Sequence, residues 1–299
     1  MREVTVVAPA KVNLSLGVGA VRPDGYHELV TVYQAIGLHD EVVARPAAGF
    51  SVEVAGAERR AVSEVPTDES NLAVRAARLL ADHHGVDGGV HLTLTKAIPV
   101  AGGLAGGSAD AAAALVACAE LWGTTTPRDE LLALAAELGS DVPFALVGGT
   151  AIGTGRGEVL APALVGSEHW WVVLESPAGL STPEVYREFD RERAGSPPAR
   201  PPEAVLEALR RGDVAALGAA LGNDLQPAAL RLRPELAEHL ERGLESSALG
   251  AVLAGSGPTC LFLADGQAHA REVADHLRGH GLGPLTCAPA PAPGARILR

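Results

Sequence analysis

The chain has 299 residues, 47% of them hydrophobic and 20% charged, a balance ordinary for a globular protein with length for about two domains. Its formal net charge of −12 argues against non-specific attraction to nucleic acid or to an anionic membrane, so neither is expected as a partner. Three cysteines (Cys118, Cys260 and Cys287) without metal spacing, a start with no apolar leader core, and no apolar run of the ~18 residues a spanning helix needs lead us to expect a cytoplasmic protein.

The first third alternates in the manner of strands, over Val4 to Ala8, Val12 to Val18, Glu28 to Ile36 and Glu41 to Ala44, with Gly, Pro and Asp between them. Ser70-Asn71 then reads as a cap, and Leu72, Val74, Ala77, Leu79 and Leu80 give a helical apolar face. A strand over Val90 to Thr95 leads into Pro99-Val-Ala-Gly-Gly-Leu-Ala-Gly-Gly-Ser-Ala-Asp-Ala-Ala112, and an alanine-rich helix from Ser108 to Trp122 leads out. A further helix is expected from Pro127 to Leu138, stopped by Gly139-Ser-Asp-Val-Pro143. Beyond Gly157 come a strand (Trp170 to Leu174), a loop of linker composition (Ala194 to Pro202), and helical patterns over 203–211, 214–221 and 234–244. Ala251 to Leu263 is strand-like on both sides of a glycine turn, a helix is expected over 267–279, and a short strand over 296–298. Strands and helices mixed without strict βαβ alternation imply an α+β fold, with the domain boundary near residues 155 to 165.

The glycine-rich stretch is the most informative. Four glycines between a strand and a helix let the backbone curl until several N–H groups point into one hollow at a helix N-terminus, where the dipole also favours an anion. Phosphate is the obvious guest, although no Gly-Lys-Ser/Thr closes the loop and a plain flexible turn has the same composition. Lysine is almost absent: only Lys11 and Lys96 occur, and both stand beside distinctive segments. An acidic protein that binds phosphate must concentrate positive charge locally, which gives these two weight beyond that of surface lysines.

Three segments carry a resemblance: Ala8-Pro-Ala-Lys-Val-Asn-Leu14, the glycine loop, and Gly250 to Thr259 with its Ala-Gly-Ser-Gly core. As a set they resemble the GHMP kinase superfamily. Arg22-Pro-Asp-Gly-Tyr-His-Glu-Leu-Val-Thr31, Ser140-Asp-Val-Pro-Phe144 and Ser181-Thr-Pro-Glu-Val-Tyr186 are similar to the branch whose alcohol substrate carries a cytidine diphosphate group. The resemblance implies a two-domain GHMP kinase fold. An N-terminal, ATP-binding, ribosomal-protein-S5-like domain would span 1–160 and a C-terminal ferredoxin-like α/β-sandwich domain 161–299, with the active site in the cleft between. It implies transfer of the γ-phosphate of ATP to a hydroxyl, with Mg²⁺, by a monomer or homodimer. A kinase for another small alcohol, mevalonate- or homoserine-type, or a non-catalytic nucleotide-binding module would use the same fold.

By the same resemblance Asp141 receives the hydroxyl proton beside Lys11, an arrangement in which the ammonium keeps the carboxylate ionised. As a residue type in Gly-Ser-Asp-x-Pro, Asp141 is equally a turn aspartate. The ATP set comprises Asn71, Lys96, Pro99, Val100, Ala101, Gly102, Gly103, Leu104, Ala105, Gly106, Gly107, Ser108 and Ala109. Ser108 is the candidate for Mg²⁺ or a phosphate oxygen, with a simple helix-cap role open to it and to Asn71. The acceptor set is Asn13, Tyr26, His27, Asp141, Thr182, Pro183 and Tyr186. Tyr26 and Tyr186 would stack on cytosine and His27 would bond its edge, unless these rings are ordinary core. Ala101, Ala105 and Ala109 depart from the usual loop. A Cβ at 105 is expected to exclude positive φ and divert the backbone path.

Overall fold

A computed structural model describes residues 3–56, 64–192 and 199–298, so residues 194–198 of the expected linker lie outside the described residues. Two strands dominate the first half. Strands β1 (Val4–Val21) and β2 (His27–Ala47) pair antiparallel along most of their length, where the sequence suggests two shorter strands for each. Pro9 and the Gly37-Leu38 break do not end them. Pairing passes from Pro9 with His39 to Ala10 with Ile36, so a bulge absorbs the two extra residues and the ladder resumes.

There follow β3 (Ser51–Gly56), α1 (Leu72–His84), β4 (Gly89–Lys96), α2 (Gly106–Trp122), α3 (Arg128–Leu138), α4 (Val142–Val147), β5 (Thr150–Gly155) and β6 (Val159–Pro162). The second half contributes β7 (His169–Leu174), α5 (Thr182–Glu192), α6 (Glu203–Arg211), α7 (Val214–Ala220), β8 (Gly222–Asn223), α8 (Gln226–Leu232) and α9 (Glu235–Glu245). It ends with β9 (Gly250–Leu253), β10 (Cys260–Ala264), α10 (Gln267–Gly279), β11 (Leu285–Ala290) and β12 (Arg296–Ile297). The architecture is α+β. One sheet runs β12-β1-β2-β4-β3 with β5 and β6 continuing from the other half of β2, and the second runs β11-β7-β10-β9. The chain passes from one sheet to the other between β6 and β7, then sends two short strands back: β8 pairs β1 at Ser15 and Leu16, and β12 pairs it at Val6 and Val7. No helix among the described residues is long and apolar enough to cross a membrane.

The alanine run of α2 has a packing reason. Ala109, Ala111 to Ala114 and Ala117 are all fully buried, as befits a helix covered on nearly every side, and small side chains let it lie close to its neighbours. Between the sheets sits a polar knot. Trp171 Nε1 donates to Gln34 Oε1 at 3.1 Å, His169 Nε2 meets the same oxygen at 2.8 Å, and Gln34 Nε2 donates to Thr150 Oγ1 at 3.2 Å. Burial holds the His169 imidazole down at about 4.

Candidate active site

The glycine loop joins β4 to α2, and its path corrects one expectation. Ala105 stands at φ 59 and Ala101 at φ 53, both left-handed, beside Gly103 at φ 80. The loop therefore keeps the tight curl despite its alanines, at a cost of about 1–2 kcal/mol for each non-glycine residue so placed. Ala105 is also the residue that caps α2, with no side-chain bond, so Ser108 is not the cap and lies instead in the first turn of the helix. The third motif explains why the curl is held: a Cβ at Gly103 would strike the Ala254 carbonyl oxygen, and one at Gly102 would press on Thr259 Oγ1 at 2.6 Å. From the other side, the Lys11 N–H donates to the Leu104 carbonyl at 3.1 Å.

The three motifs thus meet around one cleft of about 720 Å³. Lys11 and Asn13, two residues apart on β1, share a face of the strand. Lys11 Nζ donates to Asn13 Oδ1 at 2.8 Å and stands 3.9 Å from Asp141 Oδ2. Asn13 Nδ2 donates to Thr31 Oγ1 at 2.8 Å, and Thr31 in turn donates to the Ser15 carbonyl at 2.7 Å, so the amide is fixed with its oxygen toward the ammonium. Asp141 is the residue before α4 and makes no capping bond; its carboxylate faces the cleft instead. Tyr33, opposite Asn13 on β2, donates its hydroxyl to Asp141 Oδ1 at 3.1 Å. Burial and the Asp141 charge push the Tyr33 phenol well above its usual value, so it stays a donor. Gly157, at φ 105, lies against that hydroxyl and Gly153 against the ring, so glycines make the room Tyr33 occupies.

The acceptor residues read from the sequence all line the same cleft. His27 stacks on Tyr186 with ring centroids 5.0 Å apart, and its Nε2 pairs with Asp190 Oδ1 at 2.8 Å. Burial, with the charges of Asp141 and Asp190, pushes Tyr186 up to about 12. Tyr26 is 59% exposed at the cleft, with the Arg156 guanidinium 5.3 Å from its ring centroid. Thr182 Oγ1 bonds Ser256 Oγ at 2.7 Å, joining α5 to the third motif. Asn223 Nδ2 donates to the carbonyls of Leu253 and Gly255 at 3.0 and 2.6 Å, which ties that motif to the edge of β1 through β8. Tyr33, Arg156, Asp190, Asn223 and Ser256 were not legible as site residues in the sequence.

The nucleotide set divides. Pro99, Ala101, Gly102, Gly103, Ala105, Gly106 and Gly107 line the cleft, Leu104 and Ala109 are fully buried, and Val100 and Ser108 lie off its wall. Asn71 caps α1, its Oδ1 accepting from the Ala73 N–H at 2.8 Å and its Nδ2 donating to the Pro66 carbonyl at 2.6 Å. Lys96 is off the cleft too. Its ammonium is 2% exposed and ion-paired to Asp40 and Asp110 beneath the loop. Burial alone would lower the Lys96 ammonium, but the two carboxylates outweigh it and raise it.

A glycine-rich curl sharing one cleft with a paired lysine and aspartate suits transfer of a phosphoryl group to an alcohol, and comparison with known proteins agrees. The GHMP kinases N terminal domain matches residues 71–149 and the GHMP kinases C terminal domain matches 205–282. A 4-diphosphocytidyl-2-C-methyl-D-erythritol kinase from Nocardioides sp. is 56% identical over 292 residues, covering 97% of this chain and 98% of that one. This chain belongs to the GHMP kinase family. The crystal structure of a 4-(cytidine 5'-diphospho)-2C-methyl-D-erythritol kinase, 37% identical, superposes with a TM-score of 0.80 over 96% of this chain and 99% of its own. A homoserine kinase from Cytophaga hutchinsonii, 19% identical, reaches the same TM-score over 100% of this chain and 98% of its own, and shares the fold.

Proposed function

We propose that this GHMP kinase transfers the γ-phosphate of ATP to the 2-hydroxyl of 4-diphosphocytidyl-2-C-methyl-D-erythritol, in the non-mevalonate route to isoprenoids. The observation that carries the reading is one cleft in which the glycine loop faces Lys11 and Asp141 while Tyr26, His27 and Tyr186 gather at its wall. The names borne by relatives at 56% and 54% identity support the same substrate.

In this reading the loop amides hold the triphosphate in a low-dielectric hollow, and phosphoryl transfer asks for little else but positioning and charge stabilisation. Asp141 takes the proton of the acceptor hydroxyl. Lys11, 3.9 Å from that carboxylate, stabilises the alkoxide as it develops. Tyr33 fixes the carboxylate through Oδ1 and leaves Oδ2 toward the lysine. Tyr26 and Tyr186 offer faces for the cytosine, and His27, with Nε2 engaged by Asp190, has Nδ1 left for the base edge. Arg156 and Arg187 line the cleft and suit the two charges of the diphosphate. Mg²⁺ carried on ATP would neutralise the phosphate charge, and the half-buried Ser108 hydroxyl, one residue past Gly107 at the cleft wall, is the side chain proposed to meet it.

Coupled measurement of ADP release tests the reading. Turnover is expected with the diphosphocytidyl alcohol and not with homoserine, mevalonate or galactose; turnover with one of those three instead would reject the substrate.

A further inference from the structure

Three ionisable side chains that no step of the reaction touches meet beneath the glycine loop. Asp40 belongs to β2, Lys96 ends β4, and Asp110 lies in the second turn of α2; all three are buried. Lys96 Nζ pairs with Asp40 Oδ2, with Asp110 Oδ2 at 2.5 Å, and reaches the Gly106 carbonyl at 3.4 Å. The other oxygen of Asp40 accepts the N–H groups of Ala97 and Ile98 at 2.6 and 2.8 Å. A Cβ at Gly106 would stand 3.4 Å from Asp40 Oδ2 and 3.2 Å from Ile98 Cγ2, so the first residue of α2 rests directly on the cluster.

These contacts fall on the two ends of the loop. Ala97 and Ile98 enter it and Gly106 leaves it, and one carboxylate and one ammonium hold both. A buried triad of unlike charges is a poor way to add stability, because desolvation offsets most of the attraction; what such a group does well is fix geometry. The loop above needs such fixing. Ala101 and Ala105 sit at left-handed φ, a conformation that persists only where the surroundings over-determine it. On the cleft side the third motif supplies part of that constraint, at Gly102 and Gly103. On the core side nothing else described joins the entry of the loop to its exit through charged groups.

We infer that Asp40, Lys96 and Asp110 form a clamp that sets the spacing of the loop ends and so positions the amides at the start of α2 for the phosphates of ATP. They act through the backbone, as positioning residues, and the inference rests on the kinase reading above. The scarce lysine at position 96 thus serves the nucleotide from below the loop. Lysine suits the task because a compact ammonium with three donors can satisfy two carboxylates and a carbonyl at once, where a planar guanidinium cannot converge on the same three points.

The test uses two near-isosteric variants, Asp40→Asn and Asp110→Asn, with calorimetric titration of Mg²⁺·AMP-PNP and, separately, of cytidine diphosphate. An asparagine at 40 cannot accept from both backbone N–H groups and the ammonium at once, so it breaks one end of the clamp. Affinity for AMP-PNP is expected to fall by about tenfold or more in Asp40→Asn and by a smaller factor in Asp110→Asn, with cytidine diphosphate binding held within about twofold. In steady state the loss should fall on KM for ATP rather than on kcat. Unchanged AMP-PNP affinity in both variants overturns the inference. So does a parallel loss for cytidine diphosphate, or failure of both variants to fold, since the cluster would then be holding the core at large. Lys96→Arg, which keeps the charge and changes the shape, is expected to show the same selective loss of AMP-PNP affinity. A wild-type protein that binds no AMP-PNP would reject the kinase reading itself, an outcome separate from any difference between wild type and variants.

Discussion

The Tyr33 hydroxyl donates to Asp141 Oδ1 at 3.1 Å while Lys11 faces the other oxygen, Oδ2, at 3.9 Å. The carboxylate is held from both of its oxygens, by a phenol that stays protonated and by an ammonium whose own direction is set by Asn13. Tyr33→Phe removes one of these holds and leaves the ring and its packing in place. A hydrogen bond to a charged group is worth about 1.5–3 kcal/mol, so kcat is expected to fall by roughly tenfold or more, with KM for ATP little changed. Steady-state kinetics on the purified variant measures it.

Asp141→Asn tests the proposed proton acceptor directly. General-base catalysis contributes about 10²–10⁴-fold, and a loss of kcat in that range is expected while AMP-PNP binds as in wild type. A variant with wild-type kcat would remove Asp141 from the role.

On the acceptor side, Tyr26 is exposed and packs on little, so Tyr26→Ala should leave the fold intact. Stacking on a base is worth about 1–3 kcal/mol, and KM for the diphosphocytidyl alcohol is expected to rise accordingly without a matching rise for ATP. Parallel titration of the two substrates distinguishes a lost stacking face from general damage.

The knot between the sheets sets a pH dependence. The His169 imidazole is held at about 4 in the folded protein against an ordinary 6.5. Between those values the unfolded chain takes up a proton that the native fold refuses. The associated stability is therefore complete above the ordinary value and is lost as pH falls toward 4, by ~3 kcal/mol in all. Urea midpoints at pH 7.5 and pH 4.5 should differ, and His169→Gln should shrink that difference.

Ala105 carries its own prediction. Glycine there would relieve left-handed strain but enlarge the freedom of the unfolded chain, two effects of similar size, so Ala105→Gly should shift stability by less than about 1 kcal/mol. Ala105→Val cannot take the same φ without strain and should cost about 1–3 kcal/mol, read from thermal melts.

Much of this site was legible because it is built from backbone and from scarce residue types. The glycine run announced a curl at a helix start, and two lysines in 299 residues marked themselves. Tyr33 was not legible, since its partner Asp141 lies 108 residues away before α4 and only the fold brings the two together. Asn223 likewise acts across a long separation, from a two-residue strand that leaves no alternating pattern, and Ser256 meets Thr182 from 74 residues away. The pattern reads as shorter segments than the strands themselves, because Pro9 and Gly37, residue types that usually end a strand, here sit at a bulge within the ladder. Scarcity singled out Lys96, yet only the packing of three elements reveals that it points beneath the loop.

Strand β1 bears Lys11 and Asn13 and is bonded by β8, which arrives from the far half of the chain. That two-residue pairing runs beside Leu16, which lines the cleft, so parting the second half of the chain from β1 at this point would cost its backbone hydrogen bonds.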